Sequence, residues 1–165
     1  MGFECEQDQF APEELHGRTV IFTCVSSGSA LDLYSGNGND GTRVNGWSLN
    51  HSSPQQWKLE KVTPGAPWSA WTLRNVAGGS YLDLAGGNPD NCTPLQGWNT
   101  GGLAKSSQWY LITQDVSRRW YMLQNVATFT YVDLDGGNSG DGTRIQGYQR
   151  SPDLNPNQMW NIHFV

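Results

Sequence analysis

Basic residues are scarce in this chain. Ten Lys and Arg stand against fifteen Asp and Glu, a formal net charge of −5, and Arg118-Arg119 is the only adjacent basic pair. Nucleic acid, heparin and anionic membrane surfaces need a basic footprint, so none is an expected partner. Cysteine is sparse too. Cys5, Cys24 and Cys92 are an odd set without a CxxC pair, so neither a disulfide framework nor zinc-ligand spacing can be read. His16, His51 and His163 are not at metal spacing, and no metal or cofactor is expected. No apolar run is long enough to span a membrane, so membrane insertion is not expected. The start, MGFECEQDQFAPEELHG, lacks the basic and apolar segments of a signal peptide, and Glu6 breaks the myristoylation pattern. The expected compartment is the cytoplasm. In that compartment the sequons at Asn50 and Asn91 carry no expectation of glycosylation. Motifs of the GxSxG, HExxH, P-loop and GxGxxG kinds are missing, and no enzyme activity is expected.

Aromatics and glycine are abundant instead: eight Trp, six Tyr and 20 Gly in 165 residues. Trp and Tyr suit core packing and also surfaces that are half apolar and half wet. The chain then repeats itself. Alignment on Asp32, Asp83 and Asp133 gives intervals of 51 and 50 residues. Val25, Val76 and Val126 precede the aspartates, with Asn75 and Asn125 beside the last two valines. Gly36-Asn37, Gly87-Asn88 and Gly137-Asn138 follow, then Thr42, Thr93 and Thr143, then Gly46, Gly97 and Gly147. An aromatic comes 15 residues after each aspartate: Trp47, Trp98 and Tyr148. Each copy closes on a tryptophan, Trp57, Trp109 or Trp160.

Within a copy, short strand-like runs (TVIFTCV, SALDLY, TRVNGW, QQWKLE in the first) are split by turn signals such as Asp40-Gly41 and Asp141-Gly142. No stretch of ten residues keeps a helical period, and at most one helical turn is expected near Pro12–Leu15. Three units of about four strands predict an all-β chain of about twelve strands with threefold organisation. A closed barrel would remove the strand edges that an open stack leaves exposed. The expected organisation is an acidic extension over 1–16 and one domain over 17–165, with repeats at about 17–66, 67–116 and 117–165.

Gln55-Gln56-Trp57 and Gln158-Met159-Trp160 are QxW motifs, and Ser107-Gln108-Trp109 departs from the pattern only at its first position. With the three repeats, they make the chain resemble the ricin-B-type β-trefoil lectins, most of all the cytosolic mushroom members. The resemblance implies a β-trefoil that binds glycans with terminal galactose, N-acetylgalactosamine or N-acetyllactosamine. It also implies that the motif aspartate reads sugar hydroxyls, that the aromatic stacks on the ring, and that an Asn before the QxW glutamine completes the site. On this mapping the last repeat keeps Asp133, Tyr148, Asn157 and Gln158. The first keeps Asp32 and Trp47, with Pro54 at the Asn position and Asn50 or His51 as a substitute. The middle keeps Asp83 and Trp98, with Ser106-Ser107 for the Asn-Gln pair and Asn99 as the stand-in. The last and first repeats therefore rank above the middle one. A homodimer and a role in fungal defence are further implications of the resemblance.

The chemistry agrees with that mapping. A pyranose has an apolar C–H face, which an aromatic ring covers, and hydroxyls, which a carboxylate accepts and an amide both accepts and donates to. Strands disfavour Asp, and alternation places Leu31 and Leu33 on the face opposite Asp32. The competing reading makes each aspartate a cap for the turn that follows it. Trp57, Trp109 and Trp160 are expected in the core with the QxW glutamine bonding to backbone, and Trp68, Trp71 and Trp120 are expected as core or barrel-bottom packing. Three aspartates on three lobes cannot form the carboxylate pair, about 5–10 Å apart, of a glycoside hydrolase. The alternative function is a β-trefoil protease inhibitor presenting Arg118 or Arg119 on a loop. A third reading is a threefold scaffold without working sites.

Overall fold

A computed structural model describes residues 10–165. Cys5 and the first nine residues of the acidic extension lie outside the described residues. Twelve strands follow one another: β1 Thr19–Cys24, β2 Ala30–Leu33, β3 Thr42–Trp47, β4 Trp57–Lys61, β5 Trp71–Asn75, β6 Tyr81–Leu84, β7 Thr93–Trp98, β8 Trp109–Asp115, β9 Trp120–Asn125, β10 Tyr131–Leu134, β11 Thr143–Tyr148 and β12 Trp160–Phe164. Helical structure among the described residues is confined to 3-10 turns of three residues, including Glu13–Leu15. No helix there is long and apolar enough to cross a membrane.

The antiparallel pairings form two closed circuits. The pairs β1–β4, β4–β5, β5–β8, β8–β9, β9–β12 and β12–β1 close a six-stranded barrel. Three hairpins, β2–β3, β6–β7 and β10–β11, close its end through β3–β7, β7–β11 and β11–β3 contacts. Each repeat thus supplies two barrel strands and one cap hairpin, which is the β-trefoil. Closure leaves no free edge within the barrel ring.

The core explains the recurring residues. Trp57, Trp109 and Trp160 are fully buried, and each indole N–H donates to the carbonyl one residue before the motif aspartate, at Leu31, Leu82 and Val132 (2.9, 2.9 and 3.1 Å). The recurring glycine of β3, β7 and β11 leaves room for a leucine of another repeat. A Cβ on Gly46 would lie 2.8 Å from Leu134, one on Gly97 3.0 Å from Leu33, and one on Gly147 2.7 Å from Leu84. These three contacts run in a cycle and lock the cap hairpins together.

A second cycle joins neighbouring repeats at the barrel rim. Asn75 donates to the Pro54 carbonyl of repeat 1 (2.8 Å), and Asn125 donates to the Ser106 carbonyl of repeat 2 (2.9 Å). In the equivalent place Cys24 reaches the Pro156 carbonyl of repeat 3 through its thiol (3.3 Å).

Residues 10–16 pack on the barrel. Phe10 bridges to Ile112, Ala11 and Leu15 are buried, and Glu13 pairs with the buried Lys61 ammonium. Trp71 lies in the core and Trp120 is half-buried beside Arg118. Trp68 corrects the sequence expectation. It is 63% exposed, because it sits in the connection between repeats 1 and 2 rather than on a barrel strand.

Candidate functional site

Each cap hairpin builds the same surface from local register alone. Asp32 pairs with Asn45, Asp83 with Gln96 and Asp133 with Gln146. The aromatic two residues further along the return strand (Trp47, Trp98 or Tyr148) falls on the same face as the aspartate. Diagonal neighbours across a strand pair have backbones about 7–8 Å apart, the scale of one pyranose. The opposite face of the hairpin carries Leu31 and Leu33, Leu82 and Leu84, or Val132 and Leu134, all fully buried. The core pattern therefore turns the Asp and the aromatic to the other face of the hairpin, where Asp32, Asp83 and Asp133 are still buried (7%, 3% and 6% exposed). Trp98 is 38% exposed, and Trp47 and Tyr148 are half-buried.

The turn-cap reading of the aspartates is overturned. Every hydrogen bond to these three carboxylates comes from a side chain, and the turns are capped by others. Asn37, Asn88 and Asn138 each accept the backbone N–H two residues ahead, all at 2.9 Å. Asp32 accepts one amide, from Gln55 at 3.0 Å on Oδ2. Asp133 accepts two, from Gln146 on Oδ1 (3.2 Å) and Gln158 on Oδ2 (3.0 Å). Asp83 accepts three donors: Ser106 and Ser107 on Oδ1 (2.7 and 2.8 Å) and Gln96 on Oδ2 (2.9 Å). The QxW glutamines also tie the site to the loop above it, since Gln55 donates to the Ser48 carbonyl and Gln158 to the Gln149 carbonyl.

Burial pushes the Asp32 carboxyl above the usual carboxylate range. The Gln55 amide opposes the shift and the Asp141 carboxylate adds to it. Burial likewise raises Asp133, against the amides of Gln158 and Gln146. Asp141 belongs to the next cap hairpin in the cycle, and its Oδ1 takes both the backbone N–H and the hydroxyl of Ser48 at 2.7 Å. Asp40 holds Asn99 in the same way, and Asn91 holds the N–H of Gln149. The strand end just beyond each aromatic is thus fixed by a neighbouring repeat.

Of the polar residues named from the sequence, Gln158 reaches its motif aspartate, and Asn50 and Asn99 bond elsewhere. Asn50 uses its carbonyl on the Ser52 N–H and makes no hydrogen bond to Asp32, where Gln55 stands instead. Asn99 is engaged by Asp40 and the Gly38 carbonyl rather than by Asp83. Asn157 lies over Gly137, where an added Cβ would fall 2.4 Å from its Oδ1, while Gln158 reaches Asp133. His51 lends its backbone carbonyl to Gln56. Sequence reasoning passed over Asn45, Gln96 and Gln146, which lie directly across from the aspartates. Their signal was an amide 13 residues after each motif aspartate. Asn45 is one methylene shorter than its counterparts, and its Nδ2 finds no partner among the described residues.

Over residues 6–98 and 105–164 the chain matches the model of a family described as "Ricin-type beta-trefoil lectin domain-like". The chain belongs to this family. Its fold is that of the designed threefold-symmetric protein ThreeFoil (TM-score 0.79, 22% identity, covering 89% of this chain and 99% of that one). The agglutinin of Rhizoctonia solani is equally similar in fold (TM-score 0.79, 24% identity, 94% and 100% coverage). The ricin B-like lectin of Macrolepiota procera, solved in complex with lactose, matches at TM-score 0.73 with 27% identity over 91% of this chain and 97% of that one. No curated protein is detectably similar in sequence. Family membership supports carbohydrate binding as the function of this ricin-type trefoil.

Proposed function

We propose that the protein is a lectin for galactose- and N-acetylgalactosamine-containing glycans, including N-acetyllactosamine types, and that it leaves its ligand chemically unchanged. The observation that carries this reading is the thrice-built hairpin face that places an aspartate diagonally across from an aromatic. The lactose bound to the Macrolepiota lectin supports the galactoside class. Asp32 with Trp47, Asp133 with Tyr148 and Asp83 with Trp98 are the proposed sites. A carboxylate already holding three donors has less capacity for ligand hydroxyls than one holding a single donor. The proposed order is therefore first, then last, then middle. Single open sites of this kind bind on the order of millimolar, about −4 kcal/mol. The cytoplasm as location, and defence against animals that eat a fungus as role, are part of the same proposal.

A glycan array probed with the intact protein, with free galactose as competitor, tests the reading. Galactose-blocked binding to terminal galactose or N-acetylgalactosamine is expected; binding that galactose leaves untouched overturns the specificity, and no binding at all overturns the function. The inhibitor alternative has less support. Arg118 and Arg119 lie in the short β8–β9 turn, where Arg118 stacks on Trp120 (4.9 Å) and Arg119 on Phe164 (4.6 Å). A trypsin-like pocket would need one of these side chains free.

A further inference from the structure

Trp68 is the most exposed tryptophan, more open than the proposed stacking platform Trp98 (63% against 38%). It borders a groove of about 410 Å³ with Phe10, Tyr110, Ile112 and Gln124. The groove has a defined floor. Tyr110 and Gln124 are cross-strand partners on β8 and β9, Ile112 follows Tyr110 on the same face, and Phe10 bridges to Ile112 from the side. Gln124 donates its amide to the Phe129 carbonyl at 3.2 Å, which fixes the side chain and leaves its carbonyl oxygen as an acceptor. The Tyr110 hydroxyl can both donate and accept. None of the five lining residues carries a charge.

These features select the occupant. An uncharged lining gives no attraction to a charged ligand, polynucleotide or anionic lipid surface. Five residues fall far short of the ~800 Å² per partner that a stable protein–protein interface buries. The volume lies within the ~300–1,000 Å³ range of small-molecule pockets. One exposed indole, a second aromatic, a hydroxyl and an amide oxygen match a ring with one apolar face and a hydroxyl-bearing rim.

We propose that this groove is a second kind of saccharide site, apart from the three motif sites, which takes a neutral pyranose on Trp68 with its hydroxyls toward Tyr110 and Gln124. It draws on no residue of the motif sites, so it stands or falls apart from them.

The test follows the eight indole N–H signals of the intact ¹⁵N-labelled protein while lactose, N,N′-diacetylchitobiose and methyl α-mannoside are each titrated in. Trp68→Phe identifies its signal and, at a solvent-exposed position, keeps the fold. The expected result is a saturable, millimolar-range shift of the Trp68 signal with at least one sugar. That shift should persist in Asp32→Asn/Asp133→Asn and weaken at least fivefold in Tyr110→Ala. If Trp47 and Trp98 respond while Trp68 stays still with all three sugars, the groove proposal fails and the motif sites stand. A Trp68 signal that moves with protein concentration instead of sugar overturns it in favour of self-association. A Tyr110→Ala response equal to the wild type also overturns it.

Discussion

At the residue scale, the motif aspartate is bound into the fold and also carries the proposed sugar contact, and charge separates the two roles. Gln55 donates to Asp32, and an Asn at that position keeps an acceptor for the same amide. Asp32→Asn is expected to keep the fold and to lose galactose binding at the first repeat, read by calorimetric stoichiometry and a melting curve. The raised carboxyls sharpen this. A carboxyl whose folded pKa lies above its unfolded value stabilises the fold fully at low pH and loses that contribution as pH rises through the folded pKa. At neutral pH, then, the ionised Asp32 and Asp133 do not help stability, and Asp32→Asn should leave the melting temperature unchanged or higher. Sugar binding runs the other way. Protonation removes the charged acceptor, so affinity should fall on acidification and begin to fall above the usual carboxylate range; a titration of lactose affinity against pH checks this.

Cys92 is a second residue-scale case. It holds φ +69° where the other repeats place Gly41 and Gly142, and its N–H bonds the Gly147 carbonyl at 2.9 Å. A left-handed L-residue costs about 1–2 kcal/mol, partly offset by the greater freedom glycine has when unfolded. Cys92→Gly should therefore stabilise by about 0.5–1 kcal/mol, visible as a melting-temperature rise of ~1–4 °C.

At the element scale, the strand that ends each barrel entry is tied to the QxW turn of the repeat before it. The buried Asn75 side chain donates to Pro54 and accepts the N–H groups of Ala77 and Gly78. Asn75→Ala would strand these groups and is expected to cost about 2–3 kcal/mol in denaturant unfolding. This column was visible in the sequence as Asn75 and Asn125, and its first member was not, because Cys24 shares the geometry without sharing the amide. The amide column opposite the aspartates was visible in the same way and gained meaning only with the hairpin register. The present partners of Asn50 and Asn99 were not legible for another reason. Loop amides have many partners within reach, and turn geometry drew them to Ser52 and Asp40.

At the scale of the whole molecule, the threefold circuit sets the sites on separate lobes and makes each depend on its neighbours. Asp141, Asp40 and Asn91 hold the strand ends beside the aromatics of other repeats. The proposed sites, so arranged, cannot share one small sugar, so tight binding on this reading comes from clustered glycans, where avidity adds roughly 10²–10⁴. Replacing both Asp32 and Asp133 by Asn should lower retention on a dense galactoside surface by at least an order of magnitude more than it lowers the affinity of any remaining site for free lactose. Surface plasmon resonance at high and low ligand density reads the difference.

The repeats, the β class, the threefold count, the buried QxW tryptophans and the Asp–aromatic pair were all legible in the chain. All of these follow from short-range register or from a pattern copied three times, which needs no long-range information. Tertiary structure decided how many donors each carboxylate already holds, because Gln55, Ser106, Ser107 and Gln158 fold back across 23 to 25 residues to reach it. It also decided that Trp68 faces solvent while Trp71, three residues on, is buried. The pleat and the closed barrel claim Trp71, whereas Trp68 lies in the β4–β5 connection, and no periodicity in the chain says which way that turns.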